Sequence, residues 1–222
     1  MSDTASSVIL IHGLGRYPTS LSKIARTLRR HQRQVRNWPY ASLRQTLTEA
    51  AEDLYPAYMK LAASAEQVDV VTHSMGGIVL RRLLMLTPLP KLGRIVMIAP
   101  PNNGSLVALR MLGNPLVRTV LGPAAQELCD NAYLQASCAL PSSPTMVIAG
   151  TKSRDLRNPI SLLTASFLDE PSDGTVTVAE TKLPRMDQFI EVFDCHTWLM
   201  NHSQTIHALV DFLAVPSLSA AP

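Results

Sequence analysis

The sequence predicts an α/β fold, a mostly parallel six-stranded sheet flanked by helices on both faces. Two observations carry that prediction. Short, continuous apolar runs of strand character alternate with segments whose apolar residues recur at helical spacing, the pattern of a parallel sheet with crossover helices. The 222 residues are 46% hydrophobic and only 17% charged, enough to bury a sizeable core in one domain and incompatible with a disordered or fibrous chain.

Val8-Ile9-Leu10-Ile11 is the first strand, broken abruptly by His12-Gly13-Leu14-Gly15. Pro18-Thr19-Ser20 then opens a helix with Leu21, Ile24 and Leu28 on one side and basic residues on the other. Gln34 to Tyr40 reads as a weaker strand. Leu43, Leu47, Ala50, Ala51 and Leu54 mark a second amphipathic helix, which Pro56 is expected to end or kink. The third strand, Val68 to Thr72, runs through His73-Ser74-Met75-Gly76-Gly77 into an almost wholly apolar helix carrying Ile78, Leu80, Leu83 and Leu84. Arg94 to Ala99 is the fourth strand.

The alternation fails after Pro100-Pro101. Residues 102–143 hold a helical piece near Leu106 to Leu112 and several Gly and Pro breaks but no convincing strand. So long an irregular excursion predicts a lid or substrate-binding cap, with Leu106, Met111 and Leu112 as candidate substrate-binding residues. Thr145 to Ala149 resumes the sheet. A long loop with Asp155, Asp169, Glu170 and Asp173 follows, then a sixth strand from Gln188 to Phe193, His196, and a last helix carrying Ile206, Leu209, Val210 and Leu213. The expected domain covers 1–215, with 216–222 a disordered tail.

Charge, apolar run length and cysteine count weigh on several function classes. A net charge of +3 gives little support to nucleic-acid binding. The basic residues Lys23, Arg26, Arg29, Arg30, Arg33 and Arg36 read as the solvated face of a helix, with weak peripheral contact to an anionic membrane as the second reading. The longest apolar runs are too short to span a membrane, and Met1 to Ser7 is short and polar, so the expected location is cytoplasmic. Cys129, Cys138 and Cys195 form no metal-type cluster, and an odd count argues against a disulfide framework. No dinucleotide fingerprint is present, so no cofactor is implied. The sequence is silent on oligomeric state.

In open parallel sheets ligands bind beyond the carboxyl ends of the strands. Four features fall there: the His12–Gly15 turn, Ser74, the acid-rich loop and His196. A tight strand-to-helix turn holds a serine hydroxyl clear of the backbone, beside the donors of a helix N-terminus. His196 at a sheet end is the candidate base, and Asp173, followed by Gly174, is the candidate acid, with Asp155 as its alternative. His202, His207 and His31 read as cap or surface residues, His73 as a packing residue, and Asp194 as a neighbour of the base.

On His73-Ser74-Met75-Gly76-Gly77, His12-Gly13-Leu14-Gly15 and Asp173-Gly174-Thr175-Val176, in the order serine, acid, histidine, the chain resembles the α/β-hydrolase superfamily, small lipase and esterase type. The resemblance extends from Val8 to about Leu213. It implies a serine hydrolase cleaving carboxylic esters through an acyl-enzyme on Ser74, with His196 as general base and Asp173 orienting it. It also implies an oxyanion hole made by the backbone N–H groups of Leu14 and Met75, and a small-molecule or lipid ester as substrate. Acyl transfer to an alcohol, thioester cleavage or lipid deacylation would use the same residues, and hydrolase folds also serve as non-catalytic binding modules. Thr72 departs from the usual Gly-x-Ser-x-Gly pattern, which suggests wider packing at this turn.

Overall fold

Six strands, β1 (Ser7–Ile11), β2 (Gln34–Trp38), β3 (Val68–His73), β4 (Leu92–Ile98), β5 (Thr145–Gly150) and β6 (Gln188–Val192), pair in the order β2-β1-β3-β4-β5-β6. Every pairing is parallel. This is a computed structural model describing residues 6–156, 161, 164, 168 and 170–214. Asp169 and the tail 216–222 lie outside the described residues.

Among the described residues, helices with stated ends are, in chain order, α1 (Ser22–Arg30), α2 (Leu47–Ser64), α3 (Met75–Leu86), α4 (Leu106–Met111), α5 (Pro115–Glu127), α6 (Asn131–Ser137), α7 (Val178–Thr181) and α8 (Ser203–Ala214). Successive strand residues point to opposite faces, so each inner strand needs apolar residues throughout. On one face, Val8 and Leu10 pack with Ile24 and Leu28 of α1 and Leu209 and Phe212 of α8. On the other, Ile9 and Ile11 pack with Leu54 and Tyr58 of α2 and Ile78 and Val79 of α3. None of the helices described is long and apolar enough to cross a membrane.

Pro56 does not end α2, which runs on to Ser64. Pro56 is exposed, while Leu54 and Tyr58 on the buried face hold the helix against the sheet. A capping box between Thr46 and Glu49 fixes the start of this helix.

The excursion after β4 is helical rather than irregular. Its three helices each begin at a polar side chain that accepts a backbone N–H: Ser105 from Ala108, Asn114 from Leu116 and Asp130 from Tyr133. The piece read near Leu106 to Leu112 is α4, but α6 is only two turns long and α5 is kinked at Gly122 (φ 77°) before Pro123, so neither shows a long helical period in sequence. The fully buried Arg81 of α3 ties the excursion down. Its guanidinium donates to the carbonyls of Ala139 and Cys138 and to both oxygens of Asn102.

The basic cluster is also corrected. α1 stops at Arg30, Arg36 lies on β2, and Arg33 is turned inward to pair with the buried Asp69. All three cysteines are free thiols.

Candidate active site

The turn from β3 to α3 puts Ser74 at φ 52°, ψ −127°, a backbone region that side-chain-bearing residues seldom occupy. Holding a residue there costs on the order of 1–3 kcal/mol, so its surroundings must fix it. They do so through the Ser74 N–H, which donates to the Ile98 carbonyl at 2.8 Å, and the Ser74 carbonyl, which accepts from Gly77 at 3.0 Å. The turn also presses α3 onto β1. A Cβ at Gly76 would lie 2.5 Å from the Ile11 carbonyl oxygen, so only glycine fits. Thr72 is fully buried, and a Cβ on Gly77 would come within 3.2 Å of its hydroxyl oxygen. The threonine therefore brings no wider packing; the missing Cβ of Gly77 makes room for it.

Beyond the ends of β5 and β6, Asp173 and His196 meet Ser74. His196 Nε2 lies 3.1 Å from Ser74 Oγ, and His196 Nδ1 lies 2.7 Å from Asp173 Oδ2. The other carboxylate oxygen of Asp173 accepts from the backbone N–H groups of Thr175 at 2.9 Å and Val176 at 2.8 Å. Gly174, at φ 86°, allows the tight turn that curls this backbone around its own carboxylate. The His196 N–H donates to the Asp173 carbonyl at 2.9 Å, so acid and base are joined through backbone as well as side chain. Asp173 is completely buried and lies against Gly150 at the end of β5.

Asp155 is not at this position. Its carboxylate meets Lys152 Nζ at 2.9 Å, while the acidic side of the His196 ring is taken by Asp173. Asp194 accepts from the N–H of Cys195, next to the base in the chain. Glu170, His31 and His207 are exposed, and His202 Nδ1 accepts the Gln204 N–H at the start of α8.

The His12–Gly15 turn closes over the same place. A Cβ at Gly13 would lie 2.9 Å from Ser74 Cβ. His12 Nδ1 donates to the Gly13 carbonyl at 3.0 Å, Tyr40 donates its hydroxyl to the His12 carbonyl at 2.8 Å, and the Gly15 N–H donates to Ser42 Oγ at 3.1 Å. These bonds pin the loop that carries the Leu14 amide. The Met75 amide is the first of α3, one of the N-terminal donors that a helix leaves without an intrahelical acceptor.

Three residues support the site: His73, read from sequence as a packing residue, and Arg16 and Tyr40, whose roles sequence reading missed. His73 Nε2 donates to the carbonyl of His196 at 3.2 Å, with the two rings 4.8 Å apart. Burial first, and the neighbouring His196 second, hold the His73 pKa well below the ordinary 6.5, so this ring is a neutral strut. Arg16 donates to Thr197 Oγ1 at 2.8 Å, joining the His12–Gly15 turn to the loop that follows His196. Tyr40 stacks on His12 and Trp38. Nothing in the sequence pointed to these roles of Arg16 and Tyr40.

Of the candidate substrate-binding residues, Leu106 lines a cavity of about 510 Å³ together with Leu168, Arg110 and Ala179. Met111 and Leu112 are half-buried at the end of α4 and do not line it.

No curated protein matches the chain. Among solved structures, the mature lipase BlEst2 of Bacillus licheniformis is similar with a TM-score of 0.81 at 15% identity, over 96% of this chain and 94% of its own. Phospholipase PlaB of Legionella pneumophila gives a TM-score of 0.71 at 18% identity over 95% of this chain, which spans 60% of that protein. The metagenomic carboxyl esterase MGS0156 gives 0.68 at 17% identity, over 96% of this chain and 76% of its own. At such identities the likeness shows the fold alone, the α/β-hydrolase fold that these structures share. The family model described as "Domain of unknown function (DUF7379)" matches residues 2–134, more than half of the chain, and the protein belongs to that family.

Proposed function

We propose that the protein hydrolyses carboxylic esters through an acyl-enzyme on Ser74. The observation that carries this reading is the unbroken chain of hydrogen bonds from Ser74 Oγ through His196 to Asp173, at 3.1 Å and 2.7 Å. A serine hydroxyl is a weak nucleophile, so its proton must leave as it attacks. His196 Nε2 takes that proton and later passes it to the departing alkoxide, which leaves as an alcohol. Asp173 keeps Nδ1 protonated, so that Nε2 carries the lone pair, and stabilises the imidazolium that forms. Water then repeats the sequence on the acyl-enzyme, with His196 again as base.

The tetrahedral oxyanion is held by the amides of Met75 and Leu14, each worth roughly 3 kcal/mol of barrier. Neutral His73 supports the position of His196 and adds no competing charge. Leu106, which lines the cavity beside α4 with Leu168 and Ala179, supplies apolar contact for the acyl chain, which favours ester substrates with an aliphatic acyl group. The ester-cleaving neighbours of the same fold are consistent with this chemistry.

A fluorophosphonate probe should label the wild-type protein and not Ser74→Ala, and the wild type should turn over p-nitrophenyl esters of graded chain length. No labelling and no turnover with any chain length would overturn the reading.

A further inference from the structure

A cleft of about 430 Å³ opens beside the reacting centre, between the turn after β1 and the segment after His196. Gly15 and Thr197 both line it, and each is the chain neighbour of a residue in the proposed machinery, Leu14 and His196. Neighbouring Cα atoms lie about 3.8 Å apart, so a group bound in the cleft could belong to a substrate whose carbonyl is at Ser74.

The lining is cationic and uncompensated. Arg16, Lys23 and Arg26 all face the cleft, and no described residue lining it is acidic. Lys23 and Arg26 stand three apart on α1, where like charges are neighbours and repel. Among the described residues none of the three cations has a carboxylate partner. Arg16 spends one donor on Thr197, and Lys23 spends one on the Asn201 carbonyl at 2.7 Å; the remaining donors have no acceptor among the described residues. Thr19 and Ser22 add hydroxyl groups to the same walls. Arg33, by contrast, is matched to a buried carboxylate, so this chain does pair a basic side chain where the role is structural.

We infer that this cleft is a subsite for a phosphate group carried on the alcohol side of the substrate, so that the preferred ester is anionic. The inference rests on the hydrolase reading for the reaction but not for the binding. Several cations and hydroxyls converging on one place suit a group with about two negative charges and three acceptor oxygens better than a carboxylate with one charge and two oxygens. The guanidinium forks of Arg16 and Arg26 match the geometry of phosphate oxygens. A phosphate in the cleft would also offset the repulsion between Lys23 and Arg26.

The test compares two soluble esters with the same acyl group, 1-butyrylglycerol and 1-butyrylglycerol 3-phosphate, through their kcat/KM values at low salt. The wild type should favour the phosphate ester by about tenfold, the effect of one or two charge-assisted hydrogen bonds. Arg26→Glu, a change on the exposed face of α1, should abolish or invert that ratio, and added salt should erode it. Equal rates for the two esters in the wild type, or an unchanged ratio in Arg26→Glu, would overturn the subsite while leaving the hydrolase reading intact. If neither ester is cleaved, calorimetry with glycerol 3-phosphate still decides. Binding weakened about tenfold in Arg26→Glu supports the subsite, and absent or equal binding overturns it. A lysophosphatidate arm separates the sources. A rate that rises only above its critical micelle concentration assigns the phosphate to a lipid headgroup, and saturation below it to a soluble ester; both retain the subsite.

Discussion

Two carboxylates lie completely buried at opposite ends of the same sheet, Asp69 near the start of β3 and Asp173 beyond the end of β5. Each is surrounded by donors. Asp69 receives the side chain of Gln67 and the backbone N–H of Arg94, both at 2.7 Å, and is paired with the guanidinium of Arg33. Asp173 receives two backbone N–H groups and the ring of His196. The difference is the third partner. A guanidinium is charged at every accessible pH, so the Asp69 cluster is fixed and can only hold structure. An imidazole can take a proton at one ring nitrogen while the other stays bonded to the acid, so a buried acid beside it can govern a reaction. Burial and satisfied hydrogen bonds do not themselves make a site; a titratable partner that reaches a nucleophile does.

The largest expected effect breaks this contrast on the Asp173 side. Asp173→Asn should lower kcat by about 10⁴ while leaving the fold, because the amide keeps the shape but favours the wrong imidazole tautomer. Circular dichroism and ester kinetics on the purified variant check both halves. Asp155→Asn should change kcat by no more than a few-fold on the same reasoning, and a large loss there instead would move the acid to Asp155.

On the other side, Asp69→Asn should cost stability, not turnover. Leaving Arg33 without its carboxylate in a largely buried place should cost about 3 kcal/mol, which for a domain of this size lowers Tm by roughly 6–12 °C. Thermal melts beside kcat at 25 °C distinguish the two carboxylates directly.

A smaller effect follows from the two fully buried histidines, His73 and His12. Burial lowers the pKa of His73 well below 6.5, and burial also lowers that of His12, against the opposing pull of the Gly13 carbonyl. Below pH 6.5 the unfolded rings take protons that the folded rings refuse, so stability should fall as pH drops below about 6.5 and be flat with respect to these groups above it. Urea midpoints between pH 5 and 8 test this, and His73→Gln should flatten the slope. A wild-type midpoint that rises on acidification would contradict it. The smallest effect sharpens the apolar contact proposed at α4. Leu106→Ala should shift the p-nitrophenyl ester profile toward short chains by a few-fold, since a few methylenes of contact at about 0.8 kcal/mol each are at stake.

Much of this arrangement could be read before any coordinates. The apolar runs at Val8–Ile11 and Val68–Thr72 and the Gly76-Gly77 pair are local signals, because a strand buried on both faces and a turn with no room for Cβ each restrict residue type at their own positions. Asp173 was legible for a similar reason, through the glycine that follows it. What could not be read was anything set by long-range contact. Residues 102–143 show the helical piece near Leu106 but hide α5 and α6, because the ends of these helices are fixed by caps and a kink rather than by an extended period. Arg33 belonged by sequence to a basic surface, and its carboxylate partner is 36 positions away.

The sequence alone therefore determined the parallel α/β architecture, the serine-bearing turn and the short set of acids and histidines from which a site could be made. Only the tertiary structure decided how they meet: Asp173 bonded to Nδ1 of His196, His73 bonded to the carbonyl of the base, and Arg16 bridging to Thr197. The physical reason is that strand and turn preferences act over a few residues, whereas the hydrogen bond between Ser74 and His196 spans 122 positions and exists because the sheet order brings the ends of β3, β5 and β6 to one edge.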